Sequence, residues 1–324
     1  MSEKDQIKVR YHAFKPKKLA ANDLCLRFIA AVINPADINM IEQTYLINPP
    51  IPFCLGNEGV FEVVALGSKK SLFSIGDRVI IPFKTESNWQ GGWCSHCVVS
   101  SNLCVKVPSY ISNKLAAMLT VNPLTAWLLL ENIDIKKNNQ PIIQNAANSN
   151  LGRFIAFFAK QKNIVCINIV RSSTAKKCLA KDQQTHCFIY EKGIEKHILN
   201  TYGFCQLALN GVGGDQAKSL AKTLKAHGTL ITYGAMAREP LSFGNALLIY
   251  QNIRLTGFNR SRYIQENTKQ KVVNQYLALF KGLKDCDESQ FLISASYTLA
   301  NINKALQAEK KEKKQGKILL TYPN

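Results

Sequence analysis

Pro141–Lys160 reads PIIQNAANSNLGRFIAFFAK. The apolar pair Ile142–Ile143 leads into a small polar turn, Asn145 to Asn150. Gly152 follows, and then an apolar segment containing Phe154, Ile155, Phe157 and Phe158. This is the order strand, tight turn, helix. Such a turn aims backbone N–H groups and a helix N-terminus at one point, an arrangement suited to a phosphate group. Dinucleotide turns are usually rich in glycine, and here only Gly152 is present, so the same letters also fit an ordinary strand-to-helix connection. Working outward, Ile164–Val170 (IVCINIV) reads as a second buried strand with Arg171 at its C-terminal end. In a dinucleotide fold that position meets the adenosine ribose, where an acidic residue favours NAD and a cation accommodates the 2′-phosphate of NADP. A solvated strand-end arginine is the other reading of Arg171.

The same texture continues downstream. Strand-like runs at Leu207–Leu209, Thr229–Tyr233 and Ile253–Phe258 alternate with helical stretches such as Gln216 to Ala226, where Ala217, Leu220, Ala221 and Leu224 share a face. Alternation of this kind predicts a parallel sheet with helices on both sides. Upstream the pattern differs. From Ile7 to about Leu119, short apolar runs (Leu24–Ile33, Gly59–Leu66, Arg78–Ile81, Cys97–Val99) are separated by turn signals such as Asn34-Pro35 and Gly76-Asp77, and helical pattern is scarce. That half predicts a barrel-like β domain. After Ser261 one more helix is expected over Lys269–Leu283, and the chain closes on an apolar strand, Ile318–Thr321.

The 324 residues include 41 Lys and Arg against 22 Asp and Glu, a formal charge of +19, which favours anionic partners. The cations are spread along the chain; the densest group, Lys310 to Lys317, also holds Glu312. No zinc-finger or RNP-type motif points to nucleic acid. No apolar run reaches the ~20 residues that span a bilayer, so no membrane is expected. The opening MSEKDQIKV has no signal-peptide core, and Glu3 and Asp5 argue against a transit peptide. Ten scattered cysteines suggest a reducing interior. The expected compartment is therefore the cytoplasm, with the mitochondrial matrix as alternative.

GNEGVFEVVALG (Gly56–Gly67) followed by GDRVI (Gly76–Ile80) resembles the medium-chain dehydrogenase/reductase superfamily. Its zinc enzymes have His where this chain has Asn57, and an early cysteine ligand where this chain reads NPADIN, so the resemblance implies the zinc-free branch and no metal. Within that branch NPADINMIEQTY (Asn34–Tyr45), GNEGV, TVNPLTAW (Thr120–Trp127), IQNAANSN (Ile143–Asn150), NIVR (Asn168–Arg171), LALNGVGG (Leu207–Gly214), TYGAMA (Thr232–Ala237) and GKILLT (Gly316–Thr321) resemble the mitochondrial-type trans-2-enoyl-thioester reductases. That likeness implies an α/β protein: a GroES-like β-barrel catalytic domain over 1–119 and 262–324, with an inserted Rossmann NADPH-binding domain over 120–261. It also implies NADPH-dependent reduction of enoyl-CoA or acyl-carrier-protein-bound enoyl substrates in fatty acid synthesis, and a homodimer.

By the same resemblance Tyr45 matches the proton donor and Asn122 a cofactor-contacting asparagine. Asn148, Ser149, Asn150 and Leu151 match the pyrophosphate turn, and Arg171 the 2′-phosphate ligand. Tyr233, Gly234, Ala235 and Met236 match the nicotinamide-side loop; Phe258 and Lys317 match further cofactor contacts. The chain departs from the pattern in three places. Asn150 stands where the family has glycine. Ser172 and Ser173 stand where it has Asp-Arg, leaving two hydroxyls to face a phosphate. Asn259 stands for a tryptophan beside Phe258. An acceptor of hydride at C3 needs donors near the thioester oxygen and an acid at C2; Tyr45 supplies such a group without metal, or is simply a loop aromatic. Asn57 reads as a structural hydrogen-bonder in a turn, Glu58 as a buried structural carboxylate rather than a base, and Trp93 as an acyl-pocket or core aromatic. Cys94, His96, Cys97 and Cys104 lack the paired spacing of a structural zinc site; GGWCSHCVV reads instead as a strand with Cys94 and His96 on one face. Two competing functions remain: a quinone or enone reductase of the same superfamily, and a non-catalytic relative whose turn no longer binds cofactor.

Overall fold

A computed structural model describes residues 9, 18–44, 51–68, 71–83, 91–131, 140–310 and 315–322. The chain divides into two compact units, residues 1–124 with 269–324, and residues 125–268.

The first unit is β-rich. Strands β1 (Asp23–Val32), β2 (Val60–Leu66), β3 (Arg78–Ile80), β4 (His96–Ser100) and β5 (Val105–Lys106) come from its N-terminal segment. β1 is the hub. One of its edges pairs antiparallel with β2, with register shifts between Cys25 and Leu26 and between Phe28 and Ala30. β4 pairs with β1 over residues 23–27. Alternate residues Leu24, Leu26 and Phe28 are buried between polar Asp23, Cys25 and Arg27, the period-2 pattern of a strand with one face in the core. They meet Phe61, Val63, Val79 and Cys97 in one apolar cluster, with Phe28 and Phe61 edge to face at 5.9 Å.

The second unit holds β6 (Ile142–Gln144), β7 (Cys166–Val170), β8 (Cys187–Ile189), β9 (Cys205–Asn210), β10 (Leu224–Thr232) and β11 (Arg254–Gly257). All pair in parallel, in the order β11-β10-β9-β6-β7-β8. β7 and β9 are buried along their whole length, as expected where helices cover both faces. The chain leaves β6 towards β7 and β8, then returns to build β9, β10 and β11 on the other side. The order therefore reverses between β6 and β9, the switch point at which open parallel sheets bind ligands. The remaining strands, β12 (Ile293–Thr298) and β13 (Lys317–Thr321), rejoin the first unit, where β13 pairs with β1 over residues 30–32 and with β12 in parallel. This gives a seven-stranded mixed sheet.

Several local expectations are corrected. Asn34-Pro35, read as a turn, starts a helix, Pro35–Ile41, because Pro at the first helical position loses no intrahelical bond and the Asp37 carboxylate accepts from Asn34 N at 2.8 Å. The helix expected over Gln216–Ala226 is Gly214–Lys222; Leu224 already pairs with Cys205 as the start of β10. One helix, Arg260–Glu266, runs through Ser261, and beyond it the described residues hold not one helix but several, including Lys269–Gly282 and Ile302–Glu309, as well as β12. β4 begins at His96, so Cys94 precedes the strand. Among the described residues no helix is long and apolar enough to cross a membrane.

Candidate dinucleotide site and buried polar network

The quoted stretch folds as β6, a turn, and the helix Asn150–Gln161. Ser149 caps that helix: its Oγ accepts from Gly152 N at 3.1 Å. Gly152 is required by close approach, since a Cβ there would lie 2.7 Å from Ala146 O and from Ala147 Cα. The left-handed backbone of the turn belongs to Ala146, with φ 51°, and not to Asn150, which opens the helix with its side chain buried. The sequence reading missed Arg153. Its guanidinium is buried and its Nε donates to Asn148 O at 3.1 Å, so a cation braces the turn from the first helical turn. Burial pulls its pKa below the ordinary arginine value. The signal was available in the letters, as a cation directly after the only glycine of the turn.

Arg171 stands exposed just beyond β7 and makes no ion pair or side-chain hydrogen bond among the described residues. Ser172 Oγ accepts from Ala175 N at 3.2 Å, capping the short helix Ser173–Lys177, while Ser173 is exposed. At the end of β10, Tyr233 N donates to Asn210 O at 3.0 Å and Met236 N to Gly211 O at 3.2 Å. The Tyr233 hydroxyl is buried with no hydrogen-bond partner among the described residues, and burial raises its pKa, keeping it a neutral phenol. Gly234 packs on Gly211; Ala235 and Met236 are exposed. Phe258 N donates to Thr232 O at 2.9 Å, and the Phe258 ring lies 6.4 Å from that of Tyr263.

Asn122 and Lys317 fall in the β-rich unit. Asn122 is 8% exposed, and its Nδ2 has no hydrogen-bond partner among the described residues. A buried donor left without an acceptor costs about 1–3 kcal/mol. Lys317, read as a cofactor contact, is engaged internally. Its Nζ donates to Asn34 Oδ1 at 2.6 Å and to Ile33 O at 3.2 Å. The Asn34 amide then passes to Glu58, with Nδ2 donating to Oε1 at 2.8 Å. Glu58 also accepts from Val121 N at 2.9 Å and from Thr120 Oγ1 at 3.3 Å. Asn57 donates through both its N and its Nδ2 to Asp37 Oδ1, at 2.9 and 2.8 Å. Lys317, Glu58 and Asp37 are all nearly or wholly buried, where polar groups need hydrogen bonds of this kind to offset the loss of water.

Trp93 packs against the core of this unit, with its Nε1 buried and unbonded among the described residues. Gly56, with φ 107°, lies against it; a Cβ there would stand 2.5 Å from Trp93 Cδ1. Cys94 Sγ donates to Gly91 O at 3.6 Å, and Cys97 and Cys104 are buried. Among the described residues no three His, Cys, Asp or Glu side chains are grouped so as to hold a metal. Tyr45, the expected proton donor, lies outside the described residues.

A β-rich unit made from both ends of the chain, interrupted by a parallel sheet with a phosphate-type turn, defines a medium-chain dehydrogenase/reductase. Residues 20–113 match the Alcohol dehydrogenase GroES-like domain family. The mitochondrial enoyl-[acyl-carrier-protein] reductase of Xenopus tropicalis is 33% identical over 276 residues, 83% of this chain and 77% of that protein. The chain belongs to this family of enoyl-[acyl-carrier-protein] reductases. Among solved structures, a variant of the Candida tropicalis 2-enoyl thioester reductase Etr1p in complex with NADP and crotonyl-CoA is 25% identical, with TM-score 0.77 over 94% of this chain and 92% of that one. The NADPH complex of Escherichia coli quinone oxidoreductase shares the fold, with 21% identity and TM-score 0.77 over 96% of this chain and 94% of that one.

Proposed function

We propose that this protein reduces trans-2-enoyl thioesters, carried on coenzyme A or acyl carrier protein, with NADPH. The observation that carries the reading is the 33% identity to an enoyl-[acyl-carrier-protein] reductase across 83% of the chain. The residues present suit the cofactor: a capped helix start braced by Arg153, an exposed cation at the end of β7, and the unsatisfied buried donor of Asn122. NADPH, when bound, supplies the hydride that goes to C3. The chain's part is to hold it and to manage charge. Ser149 and Arg153 keep the turn 148–151 in place, leaving the N–H of Leu151 for the pyrophosphate. Arg171 meets the 2′-phosphate, with the Ser172 and Ser173 hydroxyls beside it. The loop 233–236 and Phe258 face the nicotinamide half. Asn122 donates to the cofactor through Nδ2, and Lys317 acts by fixing Asn34 and Glu58 or by a direct contact. Tyr45 delivers a proton to C2 or steadies the enolate oxygen. No metal takes part, since Asn57 stands where the zinc enzymes have His and is turned to Asp37.

The same reading takes the seven-stranded sheet as the family's barrel and draws the domains at residues 1–119 with 262–324 and 120–261, boundaries that fall a few residues before those of the compact units, after Leu124 and after Thr268. It favours a homodimer, for the parallel sheet ends at β11, whose four residues are all exposed. The mitochondrial naming of the relatives favours the matrix over the cytoplasm expected above.

The test is NADPH oxidation on adding crotonyl-CoA, compared with a naphthoquinone, with chelator present in both. Turnover of the thioester well above that of the quinone is expected. Faster quinone reduction would install the runner-up. Tyr45→Phe should lower kcat by about 10²-fold with NADPH binding retained; near-full turnover would make Tyr45 a packing residue.

A further inference from the structure

Two asparagines meet at the point where the strand order reverses. Asn145 follows β6 and Asn210 ends β9, and both side chains are fully buried. Asn145 Nδ2 donates to Asn210 Oδ1 at 2.9 Å, and Asn145 Oδ1 accepts from Gly211 N at 2.7 Å. Asn210 Oδ1 also accepts from Gly213 N at 3.0 Å and Val212 N at 3.2 Å, while its Nδ2 donates to Thr232 Oγ1 at 3.2 Å at the end of β10. Three loops leave the sheet here: the turn 145–150, the segment 211–214 and the loop 233–237. The third is stacked on the second, through Met236 N to Gly211 O at 3.2 Å and Ala237 N to Val212 O at 2.9 Å. One hydrogen-bonded pair thus ties the loops on one side of the switch point to those on the other.

A dinucleotide lies across such a crevice, its adenosine half on the side of β6 and β7 and its other half beyond the reversal. The spacing of the two sides must match a ligand of fixed length. Apolar side chains would fill the same space without fixing that spacing, whereas this pair has one donor–acceptor arrangement. We propose that Asn145 and Asn210 are positioning residues that set the separation of the two halves of the NADPH site and touch neither half themselves. The inference rests on the NADPH reading above.

Because Asn145 donates and Asn210 accepts, isosteric variants separate position from bulk. Asn145→Asp replaces the donor with an oxygen facing Asn210 Oδ1 and breaks the pair. Asn210→Asp keeps the acceptor for Asn145 Nδ2, Val212 N and Gly213 N, and its second oxygen replaces the donor to Thr232 Oγ1 with an acceptor for the Thr232 hydroxyl proton. Each protein is titrated with NADPH and with 2′,5′-ADP, which carries only the adenosine half, and its melting temperature is recorded. Asn145→Asp should bind NADPH about tenfold or more weakly while 2′,5′-ADP affinity stays within about twofold. Asn210→Asp should hold both affinities within about threefold. Equal loss of both ligands in Asn145→Asp would make the pair merely structural, and unchanged NADPH affinity would leave it without a role; either result overturns the proposal. If Asn145→Asp does not fold, Asn145→Ala must show the same split. Wild-type protein that binds neither ligand removes the NADPH reading itself, whereas wild-type binding of both without the split removes only this inference.

Discussion

At Arg171 a single exposed guanidinium decides between two cofactors. A charge-assisted pair to a phosphate is worth about 1.5–3 kcal/mol, roughly 10- to 100-fold in affinity. Arg171→Ala should lose that much NADPH affinity and leave NADH affinity unchanged, read by fluorescence titration; equal wild-type affinity for the two cofactors would refute the assignment. Asn150 presents the opposite case. It opens the helix with ordinary backbone and a buried side chain, so Asn150→Gly relieves no strain. The added chain freedom costs up to about 1 kcal/mol. Removal of the amide from the phosphate's path should still raise NADPH affinity several-fold, with a melting temperature lower by a few degrees. A fall in affinity would instead make the Asn150 amide a phosphate ligand.

Within elements, the helix Ile194–Tyr202 offers a test by pH. Glu195 Oε1 accepts from Lys222 Nζ at 2.8 Å, the lysine belonging to the helix Gly214–Lys222. Burial alone would raise the Glu195 carboxyl, but the Lys222 ammonium and the hydrogen bonds of its own backbone N–H and of Ser219 outweigh it and hold the pKa below the usual range. A depressed pKa means stability that is present above the unfolded value of ~4.3 and lost as pH falls through the folded one. Glu195→Gln should therefore melt below wild type at pH 7, by about 1 kcal/mol or less, and the gap should close on the way to pH 3. A gap that widens in acid would reverse the sign. Elements with local signatures were readable in the letters: β6, β7 and the helix at Asn150 follow from periodicity and turn composition. Pairings between distant positions were not. Nothing near Asn145 announces Asn210, and nothing near Asn34 announces Lys317, because an asparagine's partner is chosen by the fold. Leu224 misled because it continues the helical spacing of Ala217, Leu220 and Ala221, yet pairs with Cys205 as a strand.

For the whole molecule, the +19 charge acts on every anionic substrate that approaches. With the cofactor saturating, kcat/KM for crotonyl-CoA should fall several-fold as ionic strength rises from about 0.01 to 0.1 M, where the screening length drops from ~30 to ~10 Å. A neutral enone should show no such slope; parallel slopes would assign the effect to the protein and not to encounter. The β-rich unit takes its last strand, β13, from far along the chain. Ala30 pairs with Thr321, and the entire parallel sheet lies between them in the chain. At ~5–20 residues per second, a ribosome makes Thr321 roughly 15–60 s after Ala30. Through that interval the outer edge of β1 at residues 30–32 has no neighbour, while residues 125–268 assemble a sheet from strands that are all already present. The inserted unit is thus expected to fold first on the ribosome. The outer unit, begun earlier and finished later, is the one that chaperones must shield during synthesis.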